Sequence, residues 1–303
     1  MPGCWAGWAD SGRCAWTGIE GTGSYGAGLA RHMSAAGVRV AGAGRSDRQD
    51  RRRQGKSDPL DAVSAARVAQ SGRARGAPKG RDGAAGAIRA LMVAKRSARS
   101  ERTQAINQAR ALIVTGPGDL HARFTRHATA DLVAELAALQ PRPGAVVGYH
   151  TQIALRELGR RAEFPGSQIL CPGALIVPLV TGHAPALIAL HGVGSDTAAL
   201  FLVAAGDHPG RLRSEAAWAH LCAAAPIPAS SGKTVRRRLN PAGDRQASHA
   251  LWRIVITRMS SHPPTRAYAG RRTAEGLPEK EIMRCLKRYV AREACPHLRH
   301  VAD

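Results

Sequence analysis

The feature that most constrains the fold is the pattern over residues 18–44, where two short apolar segments enclose a glycine turn and a helical segment. Gly-Ile-Glu at 18–20 has the character of a strand end, and GTGSYG follows it directly. The helical segment LARHMSAAG and the strand segment VRVAGAG come next. Strands that alternate with helices favour parallel pairing, so the sequence predicts an α/β unit in this part of the chain.

The rest of the chain is predicted to be largely helical. From Asp82 to about Thr115 it lacks proline and is rich in Ala, Arg, Ile and Leu, which predicts one long basic helix. A second helix is expected near 135–160. Two prolines and two glycines in FPGSQILCPG at 164–173 predict an interruption there, either a linker or a damaged segment. From about residue 183 we expect short helices separated by turns.

The charge balance indicates a polyanionic partner. The chain has 44 Lys and Arg against 22 Asp and Glu, a formal net charge of +22. Such an excess destabilises a compact chain unless a polyanion neutralises it, and nucleic acid is the obvious one. An arginine-rich composition also arises in GC-rich genomes, but that bias does not by itself halve the number of acidic residues.

The spacing of the cysteines and the length of the apolar runs indicate the cellular compartment in which the protein is found. The six cysteines, at 4, 14, 171, 222, 285 and 295, form no C-x-x-C pair, so neither a zinc ribbon nor a disulfide framework is indicated. The apolar run ALIVPLV at 174–180 is far shorter than a membrane span, and the first residues lack the order of a signal peptide. We expect a cytoplasmic, nucleoid-associated protein.

The segment KSDPLDA at 56–62 carries a candidate half of a carboxylate metal site. Ser57 can cap a helix with Pro59 in its first turn, so Asp58 and Asp61 stand three residues apart and face the same way. One divalent cation could contact both carboxylates. Alternatively, the two charges only complement the helix dipole, and the segment alone does not separate these interpretations.

Glu20 and the glycine turn after it offer a third ligand and an alternative. Glu20 ends a strand, which places its carboxylate at the sheet edge where α/β proteins usually keep their sites. GTGSYG also matches the dinucleotide-binding pattern G-x-G-x-x-G, with Asp47 roughly twenty residues on. Against this, Glu20 would set a negative charge beside a pyrophosphate. A plain turn that opens a helix is the simpler interpretation.

Two C-terminal segments suit contacts with DNA. Gly192, Val193 and Gly194 join two apolar helical stretches in the form of a helix-hairpin-helix, whose free backbone amides suit a phosphate. PASSGKTVRRRLN at 228–240 sets Ser230 and Ser231 before a basic group, so a hydroxyl nucleophile there would lie in a phosphate-attracting field. The basic residues are Lys233, Arg236, Arg237 and Arg238. The alternatives are a helix pair in a core and serines that cap a loop; Ile227 excludes a Walker A loop.

Taken together, these segments resemble one family. GIEGTGSYGAGLARHM, RSDRQDRRRQGKSDPLDA, RTQAINQARALIV, LHGVGSDTAALFLVAAGD and PIPASSGKTVRRRLNPAGDRQA are similar to insertion-sequence transposases of the one-ten family, over about residues 18–140 and 175–293. The resemblance implies an α/β RuvC-like (RNase H-like) N-terminal domain with an Asp-Glu-Asp-Asp metal tetrad, and a mostly α C-terminal domain with a catalytic serine. It further implies DNA recombination by a homo-oligomer on DNA, guided in studied members by a structured RNA.

The resemblance also implies roles for single residues. Glu20 takes the glutamate position and Asp58 and Asp61 the last two aspartates, which together hold Mg²⁺ near the scissile phosphate. Ser231 or Ser230 attacks the phosphodiester. The predicted domains are an atypical N-terminus at 1–17, a partial RuvC-like domain at 18–80, a helical or coiled-coil linker region at 81–174, and a C-terminal transposase domain at 175–303.

The sequence departs from the family pattern in its N-terminal part. The first aspartate of the tetrad is expected on a strand well upstream of Glu20, but only nineteen residues precede Glu20, and Asp10 is no credible substitute. With the odd composition of residues 1–17 and the interruption at 164–173, this predicts a truncated or frameshifted copy. The sequence therefore supports two main hypotheses: a metal-dependent DNA transposase, defective or not, and a non-catalytic nucleic-acid-binding remnant.

Overall fold

The structure is a computed structural model. The chain forms two compact units. The structure describes residues 16–43, 52–53, 55, 57–72, 78–207, 212–233, 237–238, 240 and 242–299. The first unit comprises residues 1–81 with 205–213, and the second comprises residues 82–204 with 214–301. Each unit has its own packing and is described by itself.

The first unit is built on a pair of parallel strands. Strand β1 is Trp16–Glu20 and strand β2 is Arg39–Ala43, with Glu20 opposite Ala43. Helix α1, Ala27–Ala35, connects them, which confirms the predicted strand, turn, helix and strand. Its apolar face packs on the sheet in a small core of Ile19, Ala30, Met33 and Val40. A two-stranded parallel sheet is compatible with a DEDD transposase domain, whereas the full RuvC-like fold remains a prediction.

Helix α2, Asp58–Gln70, lies against β1 at very short range. A Cβ atom built on Gly18 would come within 2.3 Å of the carbonyl oxygen of Ala65, so only glycine lets the helix approach this closely. Ala65 is the buried residue of α2. The helix predicted after Ser57 is present: Ser57 is its N-cap, and it ends at the C-cap Ser71.

The second unit is helical, and its first half is organised on one long helix. Helix α3 covers Ala84–Thr115, as the proline-free segment predicts. It is followed by α4 (Gly118–Phe124), α5 (Thr129–Ala137), α6 (Val146–Glu163) and α7 (Pro165–His183). The end of α3 packs with α4, α5 and α6 in a core of Ala109, Ile113, Leu120, Phe124, Leu132, Leu136, Leu139 and Leu155.

Two expectations for this half are wrong. Residues 164–173 do not form a linker: α6 ends at Glu163 and α7 begins at Pro165 and continues through Pro172 and Pro178. A proline in a first helical turn costs no hydrogen bond, and burial of Ile176 and Val180, both 0% exposed, favours the helix beyond it. The helix expected from residue 135 begins only at Val146, since Pro141 and Pro143 precede it.

The stretch Val146–His183 is also long and apolar enough to cross a membrane by length and composition, with a mean hydropathy of 1.4 in its most apolar window. No uninterrupted apolar run in the sequence predicts this, because polar residues and glycines divide the stretch. Ile176 and Val180 of α7 are fully buried, whereas only 13% of the window as a whole is buried, and one stretch of this kind is weak evidence by itself. The stretch does not indicate a membrane protein.

The second half holds the remaining elements. They are α8 (Pro185–Ile188), α9 (Ser195–Ala205), α10 (Glu215–Leu221), β3 (Ile227–Pro228), β4 (Arg237–Arg238), α11 (Arg245–Ser261), α12 (Pro263–Ala274) and α13 (Glu279–Arg299). The expectation of short helices is wrong for α11 and α13, which have 17 and 21 residues. Phe201 and Trp218, both fully buried, meet edge to face with ring centroids 5.5 Å apart.

Candidate active-site segments

The carboxylates of KSDPLDA stand at the first turn of α2, as predicted. The Ser57 hydroxyl accepts a hydrogen bond from the Leu60 amide at 3.4 Å, and Pro59 lies in the first turn. Asp58 is exposed and Asp61 partly buried. The cap fixes where the helix begins, so both carboxylates are held on one turn of a helix that packs on β1.

Glu20 is the last residue of β1, and one of its carboxylate oxygens, Oε2, is buried. Carboxylate oxygens are the ligands that Mg²⁺ prefers, so the chemistry of Glu20, Asp58 and Asp61 suits that ion. Within the described ranges, however, no group of three or more His, Cys, Asp and Glu side chains is placed to hold a metal. The three-ligand site therefore stays a prediction.

The glycine turn between β1 and α1 is closed by its own hydrogen bonds. The amides of Ser24 and Gly26 both donate to the carbonyl of Gly21, at 2.7 and 3.1 Å, and the Arg81 guanidinium donates to the carbonyl of Gly23 at 2.7 Å. Two amides that a pyrophosphate would use are thus engaged within the turn. Asp47, the acidic residue of the dinucleotide pattern, lies outside the described residues. A turn that opens a helix is the simpler account.

The turn at 189–194 joins α8 to α9, and the amides of Val193 and Gly194 in it are already engaged. The Val193 amide donates to the carbonyl of Leu190 at 3.0 Å, and the Gly194 amide donates to the hydroxyl of Thr197 at 3.0 Å. The prediction of free amides is therefore wrong for these two residues, because the turn closes on itself and Thr197 caps it. Gly192 adopts a φ of +79°, which favours glycine.

Arg258 contacts this turn, and this contact was not predicted from the sequence. Its side chain is 7% exposed; Nε donates to the carbonyl of His191 at 2.7 Å and Nη1 pairs with the Glu293 carboxylate at 2.6 Å. A buried guanidinium must be paired in this way. The only sequence signal was a single arginine after the apolar run Ile-Val-Ile in α11. That signal marks a buried cation but not its partners.

Two histidines flank the same turn. The rings of His191 and His262 stack with centroids 4.8 Å apart, and His191 Nε2 lies 3.0 Å from the Ser261 hydroxyl. Burial, then the positive charge of Arg258 and the neighbouring His191 ring, lower the pKa of His262 below its usual value of 6.5. At neutral pH this ring is therefore uncharged beside Arg258.

Asp196, in the first turn of α9, ties that helix to α3. Its carboxylate oxygens pair with Lys95 at 2.6 Å and with Arg99 at 3.4 Å. Burial by itself would raise the pKa of Asp196, but the hydrogen bond from Lys95 and the charges of Lys95 and Arg99 outweigh it and hold the pKa below 3.8. Lys95 and Arg99 thus neutralise the Asp196 carboxylate next to the 189–194 turn.

Asp196→Asn is expected to lower the free energy of unfolding at pH 7 by about 2 kcal/mol, because it leaves the mostly buried Lys95 charge without its partner. A lowered folded-state pKa stabilises the fold above the ordinary carboxyl pKa, and this stabilisation is lost as the pH falls through the lowered value. Urea denaturation of both proteins should therefore show a gap that shrinks towards pH 3. An equal gap at both pH values would contradict the ion-pair account.

A surface pair provides the control for this prediction. Glu157 contacts Arg156 and Arg160, and its side chain is 52% exposed. Solvent screens such a pair, so Glu157→Gln should change the free energy of unfolding by less than about 0.5 kcal/mol.

Ser230 and Ser231 lie in the loop of a β-hairpin that was not predicted from the sequence. β3 and β4 pair antiparallel, with Ile227 opposite Arg238. Ser230, Ser231 and Lys233 between them are all exposed. Of the predicted basic residues, Arg238 is exposed, whereas Arg236 and the side chain of Arg237 lie outside the described part. The hairpin thus offers two hydroxyls and at least two cations to solvent.

The chain returning from the hairpin is fastened to the end of α10. Asn240 donates from its side chain to the carbonyl of His220 at 3.0 Å, and the Asp244 amide donates to the carbonyl of Leu221 at 2.6 Å. Gly243 lies so close that an added Cβ atom would come within 2.5 Å of the Ala223 backbone nitrogen. The return path of the serine hairpin therefore depends on a glycine.

Gly243→Ala is expected to lower the free energy of unfolding by about 1–3 kcal/mol, because the new methyl group forces the backbone away from Ala223. Thermal denaturation followed by circular dichroism measures the loss. Gly270, inside α12, has open space around it, so Gly270→Ala should be neutral or slightly stabilising. Equal behaviour of the two variants would refute the steric explanation.

Comparisons with known families match two stretches of the chain that contain these segments. A transposase model of the IS110 DEDD type matches residues 5–115, which include Glu20, Asp58 and Asp61. A model of the transposase IS116/IS110/IS902 family matches residues 184–269, which include the 189–194 turn and both serines. The first match begins at residue 5 and so covers most of the stretch set apart above as atypical. The comparison with curated proteins found no match.

The two matches define the class as insertion-sequence transposases, which act on DNA. Within that class, the chain belongs to the IS110 family. The family resemblance seen in the sequence is confirmed.

Proposed function

We propose that this transposase cleaves DNA with a serine nucleophile of the β3–β4 hairpin, Ser231 in first place and Ser230 as the alternative. The observation that carries the proposal is the exposure of both hydroxyls beside the exposed Lys233, in a segment that the family model covers. A nucleophile that attacks a polymer must be accessible, and a nearby cation attracts the phosphate.

The proposed step is a transesterification. The serine Oγ forms a bond to phosphorus while one P–O bond of the DNA backbone breaks. The serine loses its proton, and the departing DNA oxygen takes one up as a hydroxyl. The covalent protein–DNA ester keeps the bond energy of the broken linkage, so the reverse reaction with another DNA end can rejoin strands without an external energy source.

The carboxylates Glu20, Asp58 and Asp61 are proposed to hold a divalent cation, Mg²⁺. A bound magnesium ion would supply positive charge to phosphoryl oxygens. The capped first turn of α2 supports this role because it fixes two carboxylates one turn apart, and Glu20 ends the strand on which that helix packs. The alternative for Asp58 and Asp61, complementation of the helix dipole, predicts no effect on cleavage.

DNA is the proposed polyanionic partner, in keeping with the net charge of +22. The turn formed by Gly192, Val193 and Gly194 is proposed to approach the DNA backbone, although two of its amides are already engaged. The cations of the serine hairpin, Lys233 with Arg236, Arg237 and Arg238, are proposed to contact phosphates. A structured guide RNA and assembly of several copies on DNA are further proposals from the family resemblance.

The experiment is a search for a covalent adduct. The full chain is incubated with labelled duplex DNA that spans one end of its own element and the flanking sequence, with and without RNA transcribed from the non-coding part of the element. We expect a labelled adduct that survives denaturing electrophoresis, forms in Mg²⁺ and is absent in EDTA. Salt-dependent DNA binding without an adduct under any of these conditions would favour the non-catalytic alternative and overturn the proposal.

A further inference from the structure

Helix α11 carries an exposed aromatic pair on its outer face. The Trp252 side chain is 44% exposed, and its ring stacks on that of His249 with centroids 5.7 Å apart and an interplanar angle of 26°. Arg245 and Arg253 lie on the same face by helical spacing, one turn before and one turn after His249. An indole and an imidazole are thus bracketed by two guanidinium groups.

Trp252 is not among the residues that α11 buries in the core of the second unit. The inner face of α11 is completed by Leu251, Ile254 and Val255, each 0% exposed. Trp252, in contrast, is 44% exposed, and Ile256, 41% exposed, extends the apolar surface by one turn. The two side chains form a small apolar surface on a helix face that is otherwise polar.

Charge indicates what the partner is. The sequence of α11, RQASHALWRIVITRMSS, contains arginines but no aspartate or glutamate. The acidic residue just before it, Asp244, accepts hydrogen bonds from the amides of Gln246 and Ala247 and caps the helix. An aromatic surface among cations, on a chain of net charge +22, complements a polyanion that has flat rings.

We propose that Trp252 and His249 form a stacking platform for unpaired bases of DNA, with Arg245 and Arg253 on the flanking phosphates. Aromatic side chains stack on the faces of unpaired bases, whereas paired bases inside a duplex present no free face. The inference rests on the proposed function only in taking DNA as the ligand. It adds that this helix engages a strand whose bases are unpaired, as strand exchange requires.

The test compares the binding of protein variants to two oligonucleotides, one with bases and one without. One labelled oligonucleotide is a run of about fifteen deoxyadenosines, long enough for one binding site, and the other has the same backbone with abasic positions. Fluorescence anisotropy should show that Trp252→Ala weakens binding to the first by about tenfold or more and leaves binding to the second unchanged. Trp252→Phe, which keeps a ring, should restore most of the affinity.

Ile256→Ala is the matched control, since Ile256 has nearly the same exposure on the same face but no ring. It should change binding less than about threefold if stacking, rather than general apolar contact, is responsible. Circular dichroism should show unchanged folding for all variants, because the replaced side chains are exposed.

Three results would overturn the proposal. They are an equal loss of affinity on the base-containing and abasic strands, a Trp252-dependent affinity confined to an RNA oligonucleotide of the same bases, and unchanged DNA binding combined with a changed oligomeric state in light scattering. Base-dependent binding by a chain that forms no covalent adduct would refute the proposed cleavage while it supports the stacking platform.

Discussion

Replacing Ser231 with alanine is expected to lower covalent DNA attachment by at least about a thousandfold, because no other atom at that position can form the ester with phosphorus. DNA binding should persist, since the exposed hydroxyl contributes little to a contact made chiefly by cations and phosphates. The variant should also keep its stability, as Ser231 is exposed in the loop of the β3–β4 hairpin. The measurements are adduct yield on a denaturing gel and binding by anisotropy.

Ser230→Ala is the control for the neighbouring hydroxyl. It is likewise exposed and lies one residue nearer to β3, and it should retain adduct formation within about tenfold. A reversed result would assign the nucleophile to Ser230. If both variants formed the adduct as the parent protein does, the serine mechanism itself would be refuted.

Asp61→Asn should reduce Mg²⁺-dependent attachment by at least about a hundredfold, because an amide oxygen carries no charge to hold the ion. Asp58→Asn should act in the same direction. The dependence of adduct yield on magnesium concentration checks this, with half-maximal yield moving to higher concentrations in each variant. Excess magnesium should recover part of the yield.

The competing account of these aspartates can be separated by a matched residue. Asp131 also lies in the first turn of a helix, α5, and is exposed, so it offers the same dipole complementation without the proposed ligand role. Asp131→Asn should leave attachment unchanged and cost a few tenths of a kcal/mol in stability. If Asp61→Asn behaved in the same way, Asp61 would be a helix-terminal charge and not a ligand.

Local patterns in the sequence predicted the elements that depend on neighbouring residues. The cap at Ser57, the proline after it and the strand, turn and helix around Glu20 are decided within a few residues of the chain. The family resemblance rests on the same local segments, which is why Glu20, Asp58, Asp61 and the serines could be selected before any coordinates.

Features that depend on distant residues were missed. Arg258 bonds to His191 and Glu293, which lie 67 and 35 residues away in the chain, so its role could not be inferred from its neighbours. The helix over residues 165–173 was not predicted either, because the prolines there disfavour a helix. Burial of Ile176 and Val180, further along α7, favours it. The two-residue strands β3 and β4 are too short to leave a periodic signal.

Helix α3 has one more consequence, for the cooperativity of unfolding. Its 32 residues extend for about 48 Å. Lys95, near its beginning, holds the first turn of α9, while Ala109 and Ile113, near its end, lie in the core with α4, α5 and α6. Because one uninterrupted helix carries both contacts, opening either region removes support from the other. The amide hydrogens of the two regions should therefore exchange with solvent as a single protected block.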